Sequence, residues 1–474
     1  MRITNSQVSF ADLELQLQAV GFDQTLSTLS QFLDQHGELV SLVHQDLVRG
    51  LKNARTGRNG LTAEQVLRSF LLRRLKNWDY RELRERIADG FSLRLFTTFY
   101  SDPVPTYRAF HSAFRRLCPQ TVRALNDAVV KAAVEMGLED GTKLRVDTTV
   151  VQTDIHYPTD SSLLWDTVRV TTRLVKKLGQ LLPDVTQGFH SRTRRARRRK
   201  LEIDRMEKSV RPRRMKRTYR DLVKVTQETV GKALEVAEKA ANGVVTDLLA
   251  GLKVDAIRTE LLAFCERGQR VIDQTSRRVF NGETVLAEEK ILSVFEPHTD
   301  LIKRGKVQTP VEFGHKVFLA ESAQGLITDY RVLCGNPTDD QQVEPSLERH
   351  RETFGAAPQL YAGDRGFYSQ LNVQRCESAG VQEICLPHRG GAKSAELHAH
   401  QKSAPFKKGQ RFRAGIEGRI SVLMRGRGMK RCPDEGLERF EVFVGAAVLA
   451  NNLLQIARLL KKKTTRRRVV RTRA

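Results

Sequence analysis

Lys143-Leu-Arg-Val-Asp-Thr-Thr149 is the stretch on which the fold class turns. Leu144, Val146 and Thr148 alternate there with Arg145, Asp147 and Thr149, and a β-branched segment of period two predicts a strand. Residues 1–140 keep a helical period instead. Thr62 is placed to cap a helix bearing Val66, Leu67, Phe70, Leu71 and Leu75 at i, i+3, i+4 spacing. Leu83, Ile87 and Phe91, then Phe110, Phe114 and Leu117, continue the pattern past the break at Pro103 and Pro105, where Thr106 can cap the next helix. Arg73, Arg74, Lys76, Arg81, Arg84, Arg86, Arg108, Arg115 and Arg116 fall between the apolar positions, so short helices with basic outer faces are expected, a form that suits a helix-turn-helix-like DNA reader.

Downstream of the strand, Leu163 to Leu182 is helical in pattern, and Leu222 to Gly268 reads as one or two amphipathic helices. Between them, Arg192 to Arg220 holds fifteen Lys/Arg and three acids. Residues 161–288 are therefore expected to form a helical insertion. Strand signals return at Lys290 to Val294, Val311 to Ala320 and Gly325 to Cys334, the last two joined by a turn at Glu321 to Gln324. Gly335-Asn-Pro-Thr-Asp339 is a strong bend. A helix over Glu344 to Phe354, short strands at Gln359 to Asp364 and Val381 to Leu386, and an apolar helix over Gly445 to Leu460 follow. This order implies a mixed α/β core.

The chain has 474 residues, enough for about three domains at roughly 150 residues each. Its 80 Lys+Arg against 55 Asp+Glu leave a net charge of +25, which implies a polyanionic partner, most often nucleic acid. No unbroken apolar run reaches the ~18 residues of a membrane span, and the start lacks the basic and apolar segments of a signal peptide, so neither a membrane nor a secreted protein is expected. The six cysteines are far apart and without C-x-x-C spacing, which predicts reduced thiols and no zinc site.

Three acids lie where structure alone does not ordinarily place them. Asp147 interrupts a β-branched strand, Asp364 ends one and precedes Gly366, and Glu417 sits among Ile416, Ile420, Val422 and Leu423. Each by itself also fits a solvent-facing or turn-capping carboxylate. Brought together, they would suit Mg²⁺, a hard cation that takes oxygen ligands, and two such ions can activate a nucleophile and stabilise a leaving oxygen.

Five segments occur in an order that resembles a known family: KLRVDTTVVQTDIHYPTD (143–160), FGHKV (313–317), GNPTD (335–339), LYAGDRGFY (360–368) and IEGRISVLMR (416–425). Together they look like the catalytic domain of the DDE transposases of bacterial insertion sequences, in an ISNCY-like group. Leu71-Leu-Arg-Arg-Leu75, Arg81-Glu-Leu-Arg-Glu-Arg86 and Pro105-Thr-Tyr-Arg-Ala-Phe110 resemble the helical domain preceding that core. The resemblance implies a helical DNA-binding and dimerisation region over 1–140, an RNase-H-like mixed sheet over 141–460 interrupted by the insertion, and a basic tail over 461–474.

Carried over by motif, Asp147, Asp364 and Glu417 become the catalytic acids and the ligands of two Mg²⁺ ions, with Mn²⁺ as a substitute. The implied reaction is in-line hydrolysis at the element end, followed by attack of the freed 3′-hydroxyl on a target phosphate. Relatives carry a Lys or Arg about seven residues after the Glu; position 424 here is Met, and Arg425 is the nearest basic residue. Arg194, Arg195, Arg197, Arg198, Arg199, Lys200, Arg213, Arg214 and Arg425 are the expected contacts to DNA phosphates, joined by the tail as a disordered arm. Tyr361, Tyr368, His156 and His315 are expected to be structural. The implied partners are double-stranded DNA at element ends and target, and a second copy of the chain, since two ends must be paired. The implied location is the cytoplasm beside the nucleoid, without a membrane. A decayed relative that binds DNA without cutting it, and a structure-dependent nuclease on the same fold, are the competing readings.

Overall fold

The computed structural model describes residues 2–5, 9–10, 12, 23–54, 56, 59–206, 212–243, 247–303, 310–391 and 394–471. The chain divides into two compact units, one made of Met1–Gln152 with His315–Ala474, the other of Thr153–Gly314. The second unit contains residues 161–288, the span of the expected helical insertion, and extends beyond them on both sides.

The first unit opens with helices α1 (Gln24–Gln35), α2 (Gly37–Val48), α3 (Ala63–Lys76), α4 (Tyr80–Asp89), α5 (Phe91–Phe96), α6 (Tyr107–Phe114) and α7 (Pro119–Glu135). Thr62 starts α3 through a capping box: its hydroxyl accepts from the Gln65 backbone N–H while the Gln65 side chain accepts from the Thr62 N–H. Thr106 holds the cap position of α6 but its side chain accepts no backbone hydrogen bond. The basic faces are mixed in outcome. Arg81, Arg84, Arg86, Arg108 and Arg115 are exposed. Arg74 is instead buried, with its guanidinium 4.0 Å from the Phe443 ring centroid, and Arg73 stacks on Tyr80 at 3.9 Å. Helical period marks which face is apolar; it does not say that the other face is wet.

Strand β1 (Lys143–Thr153) follows, and the later strands are β2 (Asp300–Lys303), β3 (Val311–Ser322), β4 (Ile327–Leu333), β5 (Leu360–Ala362), β6 (Glu383–Cys385) and β7 (Arg431–Cys432). β3, β1, β5 and β6 lie side by side in that order, with β4 on β3 and β7 on β1. β1 pairs in parallel with β5, and β5 with β6; β3 and β4 form an antiparallel hairpin whose register shifts at Ala320/Glu321. β3 runs to Ser322, so the turn comes about two residues later than expected. The architecture is a mixed α/β fold on a mixed sheet.

In the second unit, α8 (Asp160–Leu181), α9 (Thr193–Arg205), α10 (Pro212–Ala241) and α11 (Leu248–Thr275) share one apolar core. Lys290 to Val294 is not a strand. Its apolar residues Ile291 and Val294 are buried in that helical core, and side chains satisfy its backbone. Gln274 donates to the Ile291 carbonyl and accepts from its N–H, while Arg267 donates to the Val294 carbonyl at 3.0 Å. Strand-like composition without a neighbouring strand is insufficient.

The first unit closes with α12 (Val343–Phe354), α13 (Gln370–Ala379), α14 (Ala395–Lys402), α15 (Ala404–Ser421) and α16 (Leu437–Arg471). One side of α16 packs among the N-terminal helices through Val442, Ala446, Leu449 and Leu453; another packs on the sheet through Phe440, Phe443, Ala447 and Val448. A helix apolar on all sides must be covered on all sides. Leu437–Thr465 is thereby long and apolar enough to cross a membrane by composition, yet 83% of its most apolar stretch is buried inside the protein. The helix continues through Arg471, so the basic tail begins as a helix and not as a disordered arm; residues 472–474 lie outside the described residues. None of the six cysteines is in a disulfide.

Candidate active site

The parallel pairing of β1 with β5 sets the geometry. Arg145 is opposite Ala362, and two residues further along the two strands come Asp147 and Asp364. Alternation puts Leu144 and Val146 into the core shared with Phe318, Tyr361 and α12, which turns Arg145 and Asp147 toward the opposite face. Carboxyl ends of adjacent parallel strands are where open α/β sheets place ligand sites.

Asp364 lies just past β5. Its carboxylate accepts from the Gly366 N–H at 2.7 Å and caps the short turn Arg365–Phe367. A Cβ on Gly366 would sit 2.8 Å from Asp339 Oδ2 and 3.0 Å from Asp364 Oδ1. Glycine at 366 thus lets two carboxylates approach one point of backbone. Asp339, the last residue of the GNPTD bend, also accepts from Thr148 Oγ1 at 3.0 Å and from Lys316 Nζ at 3.2 Å. Asp147 accepts from the Thr148 N–H at 2.8 Å. Burial pushes its carboxyl up to about 6; the charges of Asp364 and Asp339 push the same way, against the Thr148 N–H and Arg413.

Helix α15 brings the other predicted acid. Arg145 donates from Nε to Glu321 at 2.7 Å and from Nη1 to the Phe412 carbonyl at 2.7 Å, and Arg419 donates to the other oxygen of Glu321 at 2.7 Å. Glu321 is fully buried, so this knot fastens α15 to the sheet. Gly415 makes it possible, because a Cβ there would stand 2.1 Å from Arg145 Nη1. Gly415 and Gly418, poor helix formers, both lie inside the helix, and at Gly415 packing outweighs propensity.

Glu417 extends from this helix with 66% of its side chain exposed, and it accepts from Arg413 Nη2 at 3.1 Å. Arg413 Nη1 is 3.9 Å from Asp147 Oδ2. The structure therefore brings Asp147 and Asp364 together with Asp339, and connects Glu417 to them through a guanidinium. The basic partner of Glu417 is Arg413, one turn before it, and not Arg425, which is exposed in the turn Val422–Gly426. Sequence reading missed Asp339, Lys316 and Arg413. Asp339 was visible only as a turn residue, whereas Arg413 could have been found from its i, i+4 spacing to Glu417.

The donor set at the strand ends is carboxylate oxygen only. Mg²⁺ typically takes one or two carboxylates and keeps waters and substrate phosphates in its other positions, which Asp147 and Asp364 fit. Among the described residues no three Asp, Glu, His or Cys side chains form a group that could hold a metal by themselves.

The remaining predicted residues fall as follows. Tyr361 is buried with its hydroxyl 2.8 Å from Ser346 Oγ, and Tyr368 packs on His388. His315 is buried edge-on to Phe440, and His156 pairs with Asp166 at 2.6 Å in the second unit. Arg194, Arg195, Arg197, Arg198, Arg199 and Lys200 lie on α9, with Arg213 and Arg214 in the first turn of α10. Four of them have acid partners: Arg195 and Arg199 with Asp221, Arg199 also with Glu202 at 2.9 Å, Lys200 with Asp204 at 2.5 Å, and Arg214 with Glu202 at the longer distance of 3.9 Å. Comparison of the chain with known protein families, curated proteins and solved structures finds no match.

Proposed function

We propose that this protein is a DDE transposase with an RNase-H-like catalytic core, cutting double-stranded DNA at the ends of an insertion sequence and joining them to a target. The observation that carries this reading is the approach of Asp147, within β1 just beyond its parallel pairing with β5, to Asp364, just past the end of β5, in the two motifs that resemble the family's. The strand order β4, β3, β1, β5, β6 and the net charge of +25 support it.

Asp147 and Asp364 are the residues that would hold divalent cations. Bound there, Mg²⁺ or Mn²⁺ would supply Lewis acidity for the attacking and leaving oxygens. Lys316 holds Asp339 in place beside the pair, and Asp339 adds negative charge to it. Arg413 presents a cation at the rim, where a DNA phosphate brings negative charge. Glu417, four residues along the helix, orients that guanidinium. A second copy of the chain would pair the two ends, and the cytoplasm beside the nucleoid is where the DNA lies.

The test is incubation with a supercoiled plasmid carrying the element ends and Mg²⁺. Joined products are expected; nicks alone would favour a nuclease, and a gel shift without cutting a non-catalytic DNA-binding protein. Asp147→Ala and Asp364→Ala should each lower cutting by about 100-fold or more while DNA binding persists. Mg²⁺ or Mn²⁺ without DNA should raise the melting temperature of the wild type at pH 8, by the equivalent of about 2.7 kcal/mol at one hundred times Kd, and not that of Asp147→Ala.

A further inference from the structure

The fifteen basic residues of 192–220 look uniform in sequence, but among the described residues of α9 and the start of α10 the fold separates ion-paired from unpaired ones. Arg195, Arg199 and Lys200 turn toward acids of α9 and α10, as does Arg192, which donates to Glu228 at 2.9 Å. Asp221 takes two guanidiniums, and Glu202 accepts from Arg199 and the Thr218 hydroxyl, with Arg214 farther off. These charges are engaged inside the unit: Arg192, Arg195 and Arg199 hold α9 against α10, and Lys200 pairs with Asp204 within α9.

Arg194, Arg197, Arg198 and Arg205 stand at i, i+3, i+4 and i+11, the spacing of one helix face. All four are exposed, and among the described residues no acid lies within ion-pair distance of Arg194, Arg197 or Arg198. Together with Arg214 from α10 they line an open cleft of 780 Å³, whose apolar wall is Leu201 and Met206. Glu202 is the acid at its edge, and Arg214 lies 3.9 Å from it. Guanidiniums crowded on one face without counter-charges repel one another, and a row of phosphates relieves that repulsion while accepting their forked N–H donors.

We propose that this arginine-lined cleft is a binding site for the phosphate backbone of double-stranded DNA, and that the ion-paired residues beside it are structural and not part of the contact. The choice of duplex DNA rests on the transposase reading; the site itself rests on the sorting of charges. Such contacts fix position and carry no base information.

The experiment measures duplex DNA affinity against salt concentration, without divalent cation and in an Asp147→Asn/Asp364→Asn background, so that cleavage plays no part. Replacing Arg194, Arg197 and Arg198 by Gln should reduce the slope of log K against log salt by about 2.7, three contacts at about 0.9 each, with an unchanged melting temperature. The same three positions as Lys should restore most of the slope. Replacing Arg195, Arg199 and Lys200 by Gln should leave the slope nearly as it was and lower the melting temperature. An unchanged slope in the first variant would overturn the site, and equal losses in both Gln variants would overturn the sorting. Preference of the same residues for duplex RNA or for anionic vesicles would overturn the ligand. With this pattern intact, absence of joining by the otherwise unaltered protein with Mg²⁺ on the plasmid carrying element ends would sink the transposase reading and leave the cleft standing.

Discussion

Asp147 is held at a thermodynamic cost that its position makes necessary. Its carboxyl is raised to about 6 by burial first, with Asp364 and Asp339 adding to it. The folded value lies above the unfolded one, so the cost of ionisation is absent below about pH 4, grows between pH 4 and 6, and is complete above. At full size it is about 3 kcal/mol. Asp147→Asn should therefore be more stable than the wild type at pH 8 and no more stable at pH 3.5, as chemical denaturation at the two pH values will read. A gain of equal size at both would mean that packing, and not charge, is responsible. Gly366 is the second residue whose chemistry is set by its neighbours. Gly366→Ala should push Asp339 away from Asp364, and we expect the divalent-cation effect on melting temperature to fall sharply while the cation-free protein loses only about 1–2 kcal/mol.

At the scale of elements, α15 is fastened to the sheet by ions and glycine more than by apolar area. Only Phe406, Gly409 and Ile416 of its eighteen residues are buried, which leaves the knot of Arg145, Glu321 and Arg419 to define its register. Removing one partner of a buried pair strands the other charges, at about 3–5 kcal/mol. Glu321→Ala should cost that much in equilibrium denaturation and should also release Arg413 and Glu417 from Asp147. Gly409 has the same function against β6, where an added Cβ would meet Cys385 Sγ at 2.1 Å. Neither glycine has a left-handed backbone; what each provides is close approach.

At the scale of the first unit, α16 is the beam that the N-terminal helices and the sheet share. Asn452 is fully buried within it and joins three elements: it accepts from the Ile327 N–H at 2.8 Å and donates to the Ile327 carbonyl and to Asn126, each at 2.8 Å. Asn452→Leu keeps the volume but leaves those groups without partners, at about 1–3 kcal/mol for each unsatisfied group. A loss of several kcal/mol in a single cooperative transition is expected, with α7 and β4 losing hydrogen-exchange protection together. Separate transitions for the N-terminal helices and the sheet would show that they do not share one core.

The sequence by itself determined what depends on neighbours along the chain. The period of two over Lys143–Thr149, the Thr62 cap and the helical repeats of the insertion are local patterns, and each formed the element it implied. Asp147 stood out because a strand residue that is neither apolar nor β-branched needs a reason, and Asp364 because it follows a strand and precedes a glycine turn. What came from far away in the chain was not legible. Arg74 lost its solvent to Phe443, the strand-like segment at Lys290 was drawn into a helical core, and seven basic residues of similar appearance on α9 were divided by where Asp221, Glu202 and Asp204 happen to stand. Tertiary structure alone decided that Asp339 and Asp364 both crowd Gly366 while Glu417 is tied to Arg413, since a bend after β4 and a glycine after β5 meet only once the sheet has formed. Period reports which face of an element is apolar. Which charges keep their water, and which carboxylates must share a site, depends on distances that exist only in the folded chain.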